Sequence, residues 1–122
     1  MIKLEISAVH FELDEKLKRY VTSHIGKLDR YVPKSLREPL MGRVILTENS
    51  GAAKERCVCE VSLSLPKEQL VAQESTPNSL YAAIDLAEDK MRIQLLKYKT
   101  KVTDSQSRWR RAARRLRFRR RS

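Results

Sequence analysis

Apolar and polar residues alternate at the start of the chain. Ile2, Leu4 and Ile6 are interleaved with Lys3, Glu5 and Ser7, the period of a half-buried strand. The period then changes. Leu13, Leu17, Val21, Ile25 and Leu28 recur at spacings of three and four, with Tyr20 and Tyr31 at the margins. This predicts a helix capped by Asp14 and ending before Pro33, with Gly26 inside it at a cost of about 1 kcal/mol relative to alanine. Pro33 to Pro39 reads as a connection. Residues 43–48 read as a second strand with Val44 and Leu46 inward, and Asn49-Ser50-Gly51 as a turn. Residues 56–65 read as a third strand that buries Cys57, Cys59, Val61, Leu63 and Leu65. The chain turns at 66–68, and 70–74 make a fourth strand. Thr76-Pro77 reads as an N-cap followed by proline at the first helical position. Leu80, Ile84, Ala87, Met91, Leu95 and Tyr98 then form the apolar stripe of a second long helix. After Lys101 the pattern dissolves.

The order β-α-β-β-β-α defines an α+β sandwich. The first crossover makes strands one and two a parallel pair, and the later short turns make antiparallel neighbours. The expected fold is a four-stranded mixed sheet with two helices on one face, similar in outline to a double-stranded-RNA-binding domain. Two parts are expected: a domain over residues 1–101, and a basic tail over 102–122 that is disordered when free.

Charge separates these parts sharply. The net charge over 122 residues is +11. Residues 99–122 hold 11 Lys or Arg against the single acid Asp104, whereas residues 1–98 are nearly balanced, with 15 bases and 14 acids. Such a block attracts polyanions through counterion release, and arginine's planar fork matches phosphate. Within the tail, Trp109, Ala112, Ala113 and Leu116 have the spacing of an amphipathic helix, but repulsion among the arginines opposes folding in isolation. There is no apolar run of about 18 residues to cross a membrane and no signal-peptide layout at Met1-Ile2-Lys3-Leu4-Glu5. A cytoplasmic location is therefore expected.

Candidate chemistry is sparse. Cys57 and Cys59 share one face of a strand and read as small buried hydrophobes, too splayed for an easy disulfide. His10 and His24 stand at no finger-like spacing, so no metal site is expected. Asp85, Glu88 and Asp89 read as helix-terminus acids; no Ser-His-Asp or Cys-His set and no glycine-rich phosphate loop accompanies them. The chain therefore reads as a non-enzyme without cofactor or small-molecule substrate. Lys16, Arg19, Lys27 and Arg30 fall in one exposed row of the first helix, and Lys90, Arg92, Lys97, Lys99 and Lys101 crowd the end of the second. The two rows are expected to merge into a strip that grips RNA backbone by shape. His24 reads either as a further RNA contact or as a partly buried neutral histidine, and Tyr81 either as a base-stacking ring or as core.

Specific stretches resemble the ribosome hibernation-promoting factors. These are Tyr81-Ala82-Ala83-Ile84-Asp85, then Asp89-Lys90, Gln94-Leu95 and the Lys97, Lys99, Lys101 ladder, together with Leu17, Tyr20-Val21 and Lys27-Leu28 in the first helix and Ile2, Leu4, Ile6 in the first strand. The resemblance covers residues 1 to about 101. It implies a protein bound to small-subunit rRNA near the decoding region of the whole (70S) ribosome, blocking messenger and transfer RNA and silencing translation in stress or stationary phase. With this support for the helical strip, the rRNA contacts are expected at Lys16, Arg19, His24, Lys27, Arg30, Lys90, Arg92, Lys97, Lys99 and Lys101, and tail charge adds Arg108, Arg110, Arg111, Arg114 and Arg115. The chain departs from the family pattern at Ser79, His24 and Ile93; the second, dimerising domain of the long family form is not expected here, and the Arg-rich end is unlike the acidic end of one short form. The alternatives are a general RNA-binding protein, such as an RNA chaperone or ribosome assembly factor, and an anionic-membrane binder acting through the Trp/Arg tail.

Overall fold

The computed structural model describes residues 2–33, 40–50, 56–66 and 68–121, with side chains as far as Lys101. Most of the connection 33–39, the tip of the turn that follows Ser50, and the side chains of the tail arginines lie outside the described residues. Strand β1 is Lys3–Val9, helix α1 Glu15–Ile25, β2 Met41–Glu48, β3 Cys57–Leu65, β4 Glu68–Thr76 and helix α2 Leu80–Arg121. The sheet order is β1-β2-β3-β4. β1 and β2 are parallel, and the other two pairs are antiparallel. This is the mixed α+β sheet that the apolar pattern predicts.

The register stacks apolar residues in rows under the helices. Ile6 pairs with Val44, Val44 with Val61 and Val61 with Ala72; one row over, Leu4, Gly42, Leu63 and Leu70 are partners in the same way. Onto these rows pack Leu17, Val21, Ile25 and Leu28 from the first helical segment and Ile84, Ala87, Met91, Leu95 and Tyr98 from α2, all buried. Gly42 sits where a Cβ would lie 2.6 Å from Leu63 Cδ2 and 2.9 Å from Leu4 Cδ2, so only hydrogen fits between the two leucines. Cys57 and Cys59 are buried free thiols on the same face. Burial, with Glu60 adding to it, pushes the Cys59 thiol up to about 12.

Three boundaries differ from the sequence expectation. The first helix does not run as α-helix to Pro33. It ends at Ile25 and tightens into a 3-10 helix, Gly26–Tyr31, while the Gly26 carbonyl accepts a hydrogen bond from Ile2 N–H at 3.1 Å. Thr76 does not cap the second helix, because it is the last residue of β4, paired with Cys57. Ser79 takes that role: its hydroxyl accepts from Ala82 N–H at 3.2 Å, and Thr76 donates to the Ser79 carbonyl at 2.5 Å. The third is the end of α2, which continues as helix beyond Lys101 to Arg121. Residues 102–121 contain neither glycine nor proline, and alanine, leucine and arginine are strong helix formers. Asp14 caps α1 as predicted, its carboxylate accepting from Leu17 N–H at 2.7 Å.

Candidate nucleic-acid interface

The two helices lie side by side on one face of the sheet and run in the same direction. Their cross-contacts fix this: Tyr20 of α1 meets Asp85 of α2, and one turn later His24 meets Glu88. With 100° per residue, these contacts orient both helices. On α1, Lys16 and Arg19 point to solvent, with half-buried Ser23 beside them. The 3-10 geometry that follows eclipses positions three apart, so Lys27 and Arg30 share one side and continue the α2-facing flank of Tyr20 and His24. Arg30 also stacks over the Tyr31 ring, with its guanidinium carbon 5.1 Å from the centroid.

On α2 the expected cations divide. Arg92 and Lys99 follow Tyr81, Asp85 and Glu88 along the α1-facing side. Arg92 pairs with Asp89 at 3.2 Å. Lys90 instead lies on the opposite flank, toward the free edge of β4. It reaches the Gln73 carbonyl at 3.5 Å and the Glu74 carboxylate at 3.6 Å. Gln94 caps the next edge carbonyl, Val71, at 2.9 Å, and Tyr98 donates to the Pro66 carbonyl at 3.4 Å. Helical phase puts Lys101 on this edge flank and Lys97 between it and solvent. The structure therefore brings Lys16, Lys27, Arg30, Arg92 and Lys99 to the side where the helices meet, leaves Arg19 on the solvent face of α1, and sets Lys90, Lys97 and Lys101 apart from them. Leu86, Ile93 and Leu96 are exposed on the solvent side of α2, a row that the core stripe gave no reason to expect.

Between the helices lies an aromatic and acidic seam. The Tyr20 hydroxyl donates to Asp85 Oδ1 at 2.5 Å, and His24 Nδ1 lies 2.8 Å from Glu88 Oε2. The Tyr20 ring lies 4.1 Å from the His24 ring centroid and meets Tyr81 edge-on at 4.8 Å. The bond to Asp85, then burial and the nearby negative charge, push the Tyr20 phenol up to about 12, so it remains a donor at any physiological pH. Both Tyr81 and His24 are thus engaged within the fold. Sequence reasoning gave Asp85 and Glu88 only a helix-end role. The spacing of residues 20 and 24 on one helix and 81, 85 and 88 on the other carried the signal, but only the tertiary contact pairs them.

A family model described as Sigma 54 modulation protein / S30EA ribosomal protein matches residues 4–103. The chain belongs to this family. It is 32% identical over 105 residues to a protein of Staphylococcus aureus, and 32% identical over 103 residues to one of Lactococcus lactis; each is named ribosome hibernation promotion factor. Each alignment covers 84% of this chain, and 50% and 52% of the respective relative, so the chain spans about half the length of these proteins. Among solved structures, the Protein Y N-terminal domain of Thermus thermophilus superposes with a TM-score of 0.66 at 26% identity, covering 80% of this chain and 99% of that one. A ribosomal subunit interface protein from Coxiella burnetii shares the fold, with a TM-score of 0.64 at 21% identity over 81% of this chain and 99% of its own.

Proposed function

We propose that the chain is a non-enzymatic ribosome hibernation factor. In this reading it binds small-subunit rRNA near the decoding region, excludes messenger and transfer RNA, and silences translation in the cytoplasm during stress or stationary phase. The observation that carries the reading is the family match over residues 4–103, which takes in the sheet from Leu4 onward, α1, and α2 as far as Thr103. The names of the Staphylococcus and Lactococcus relatives support it, as does the exposed cation set along α1 and the adjoining side of α2. Lysines and arginines on rigid helices suit the phosphates of a folded RNA, which position a protein by backbone shape and carry no sequence code. Among the described residues no helix is long and apolar enough to cross a membrane.

The role is stoichiometric, because occupying a site consumes one protein per ribosome. Purified protein added to a cell-free translation system should inhibit until about one equivalent per ribosome is bound and should co-sediment with ribosomes in a sucrose gradient. Inactivation at sub-stoichiometric amounts, or inhibition without co-sedimentation, contradicts the reading.

A further inference from the structure

We propose that His24, Asp85 and Glu88 form a divalent-metal site, suited to zinc, that clamps α1 to α2. One nitrogen and two carboxylate donors converge here from two rigid helices. Their ligand atoms all lie within 4.8 Å of one another. Tetrahedral zinc, with bonds of about 2.0–2.2 Å, holds its donors roughly 3.3–3.5 Å apart. The 2.8 Å contact between His24 Nδ1 and Glu88 Oε2 must therefore open slightly, and the widest separation must close by roughly 1 Å. Both are small rotamer adjustments at side chains that reach solvent: the His24 side chain is 37% exposed and that of Glu88 24%. The fourth position would be left to water.

Charge gives an independent reason. Among the described residues, Asp89 pairs with Arg92, Glu74 with Lys90 and Glu5 with Arg43. Among the described residues, Asp85 and Glu88 have no Lys or Arg at ion-pair distance; their partners are the Tyr20 hydroxyl and the His24 imidazole. Two carboxylates converging on one imidazole nitrogen, with no Lys or Arg beside them among the described residues, are the donor set of a dication. The nitrogen donor selects zinc over magnesium or calcium, which prefer all-oxygen shells. Tyr20 supplies the outer support usual at such centres. Its hydroxyl holds Asp85 through Oδ1, leaving the other oxygen for the ion, and its ring lies against the imidazole. Sequence spacing alone did not reveal the set, because His24 and Glu88 are 64 positions apart. Loading would cancel the negative seam beside Lys27 and Arg92. That consequence for ribosome binding rests on the function proposed above, whereas the binding of metal does not.

The test uses the full chain, tag-free and stripped with chelator, titrated calorimetrically near neutral pH with zinc chloride and, in parallel, magnesium chloride. Zinc should bind once per chain, and magnesium should give no comparable heat. Zinc should also shift the His24 Nδ1 resonance in a nitrogen-15 imidazole spectrum, which separates this site from His10. Glu88→Gln preserves shape and a hydrogen bond to His24, and Asp85→Asn preserves an acceptor for Tyr20. Each should keep the native circular dichroism spectrum while weakening zinc about tenfold or more. Absence of binding, an unmoved His24 signal at saturation, or undiminished affinity in both folded variants overturns the proposal.

Discussion

Reversing three cations on the side where the helices meet should cost far more ribosome affinity than reversing three on the β4 flank. The first set is Lys16, Lys27 and Arg92, and the second Lys90, Lys97 and Lys101, each changed to glutamate. All six are exposed, so neither triple variant removes core. Breaking the Arg92–Asp89 pair, made between positions three apart on one helix, costs about 0.2–0.5 kcal/mol. Each phosphate contact contributes about 0.7–0.9 to the log–log slope of affinity against salt. Losing three should flatten the slope by roughly 2–3 and weaken binding by roughly 200-fold at about 0.1 M salt, with the difference vanishing toward 1 M. The flank triple should lose less than about tenfold, through long-range attraction alone, because screening over about 10 Å removes most of it. The assay is ribosome pelleting or fluorescence anisotropy across a salt series, with thermal melts confirming that both variants fold. Equal losses in the two triples would mean that total charge, not the meeting side of the helices, sets the grip. An unchanged slope in the first triple would refute the proposed interface.

Three further outcomes follow from the core and the tail. Gly42→Ala should destabilise by about 1–3 kcal/mol in urea unfolding, because the added methyl would meet Leu63 Cδ2 at 2.6 Å and Leu4 Cδ2 at 2.9 Å and Leu63 is fully buried; unchanged stability would show that the two leucine ends yield freely. The Cys59 thiol, raised from 9.0 to about 12, keeps its proton in the folded state while the unfolded state releases it. Its contribution is therefore complete below pH 9 and declines by about 1.4 kcal/mol per unit from pH 9 toward 12. A Cys59→Ala variant should show a correspondingly shallower fall of urea midpoint between pH 9 and 10.5, and parallel curves would refute the link. Truncation after Lys101 should leave the melting temperature of the domain unchanged, since Tyr98 is the last buried residue described on α2. The same truncation should lower ribosome affinity most at low salt, and equal affinities at every salt concentration would exclude the tail from binding.

Much of the architecture was legible because burial imposes periods. The alternation along Cys57, Cys59, Val61, Leu63 and Leu65 has no other good use, and neither has the stripe from Ile84 to Tyr98; both are buried as expected. The element ends were less legible. Thr76-Pro77-Asn78-Ser79 contains three residues suited to capping; Ser79 takes the role, while pairing with Cys57 holds Thr76 in the sheet. At the other helix, the contact between the Gly26 carbonyl and Ile2 accompanies a tightening of the last turns that no local propensity announces. The candidate site was half legible. A helical wheel separates core from solvent, so every expected cation from Lys16 to Lys101 is exposed apart from half-buried His24. It does not say which flank meets the other helix and which meets the sheet edge. That depends on where α2 lies over β4, and it is the reason Lys90 caps an edge carbonyl while Arg92, two residues on, faces α1.

Helix α2 joins three environments in one element. Tyr98 is the last buried residue described on its apolar stripe. Its first half carries Asp85, Glu88 and Asp89, two of which are held at the seam by α1, and its second half turns basic. The backbone then continues as helix to Arg121 through a sequence with nine arginines in its last fourteen residues. Folding energy and charge are thus segregated along the axis. The domain gains its stability from the portion before Lys99, where acids and bases nearly balance. The excess charge lies beyond it, where repulsion between like charges three and four positions apart opposes the helix. A polyanion removes that repulsion without disturbing the core. We expect a polyanion to stabilise the helical residues 102–121, with the α1-facing cations, fixed by the packed part of the same helix, as the proposed first contact.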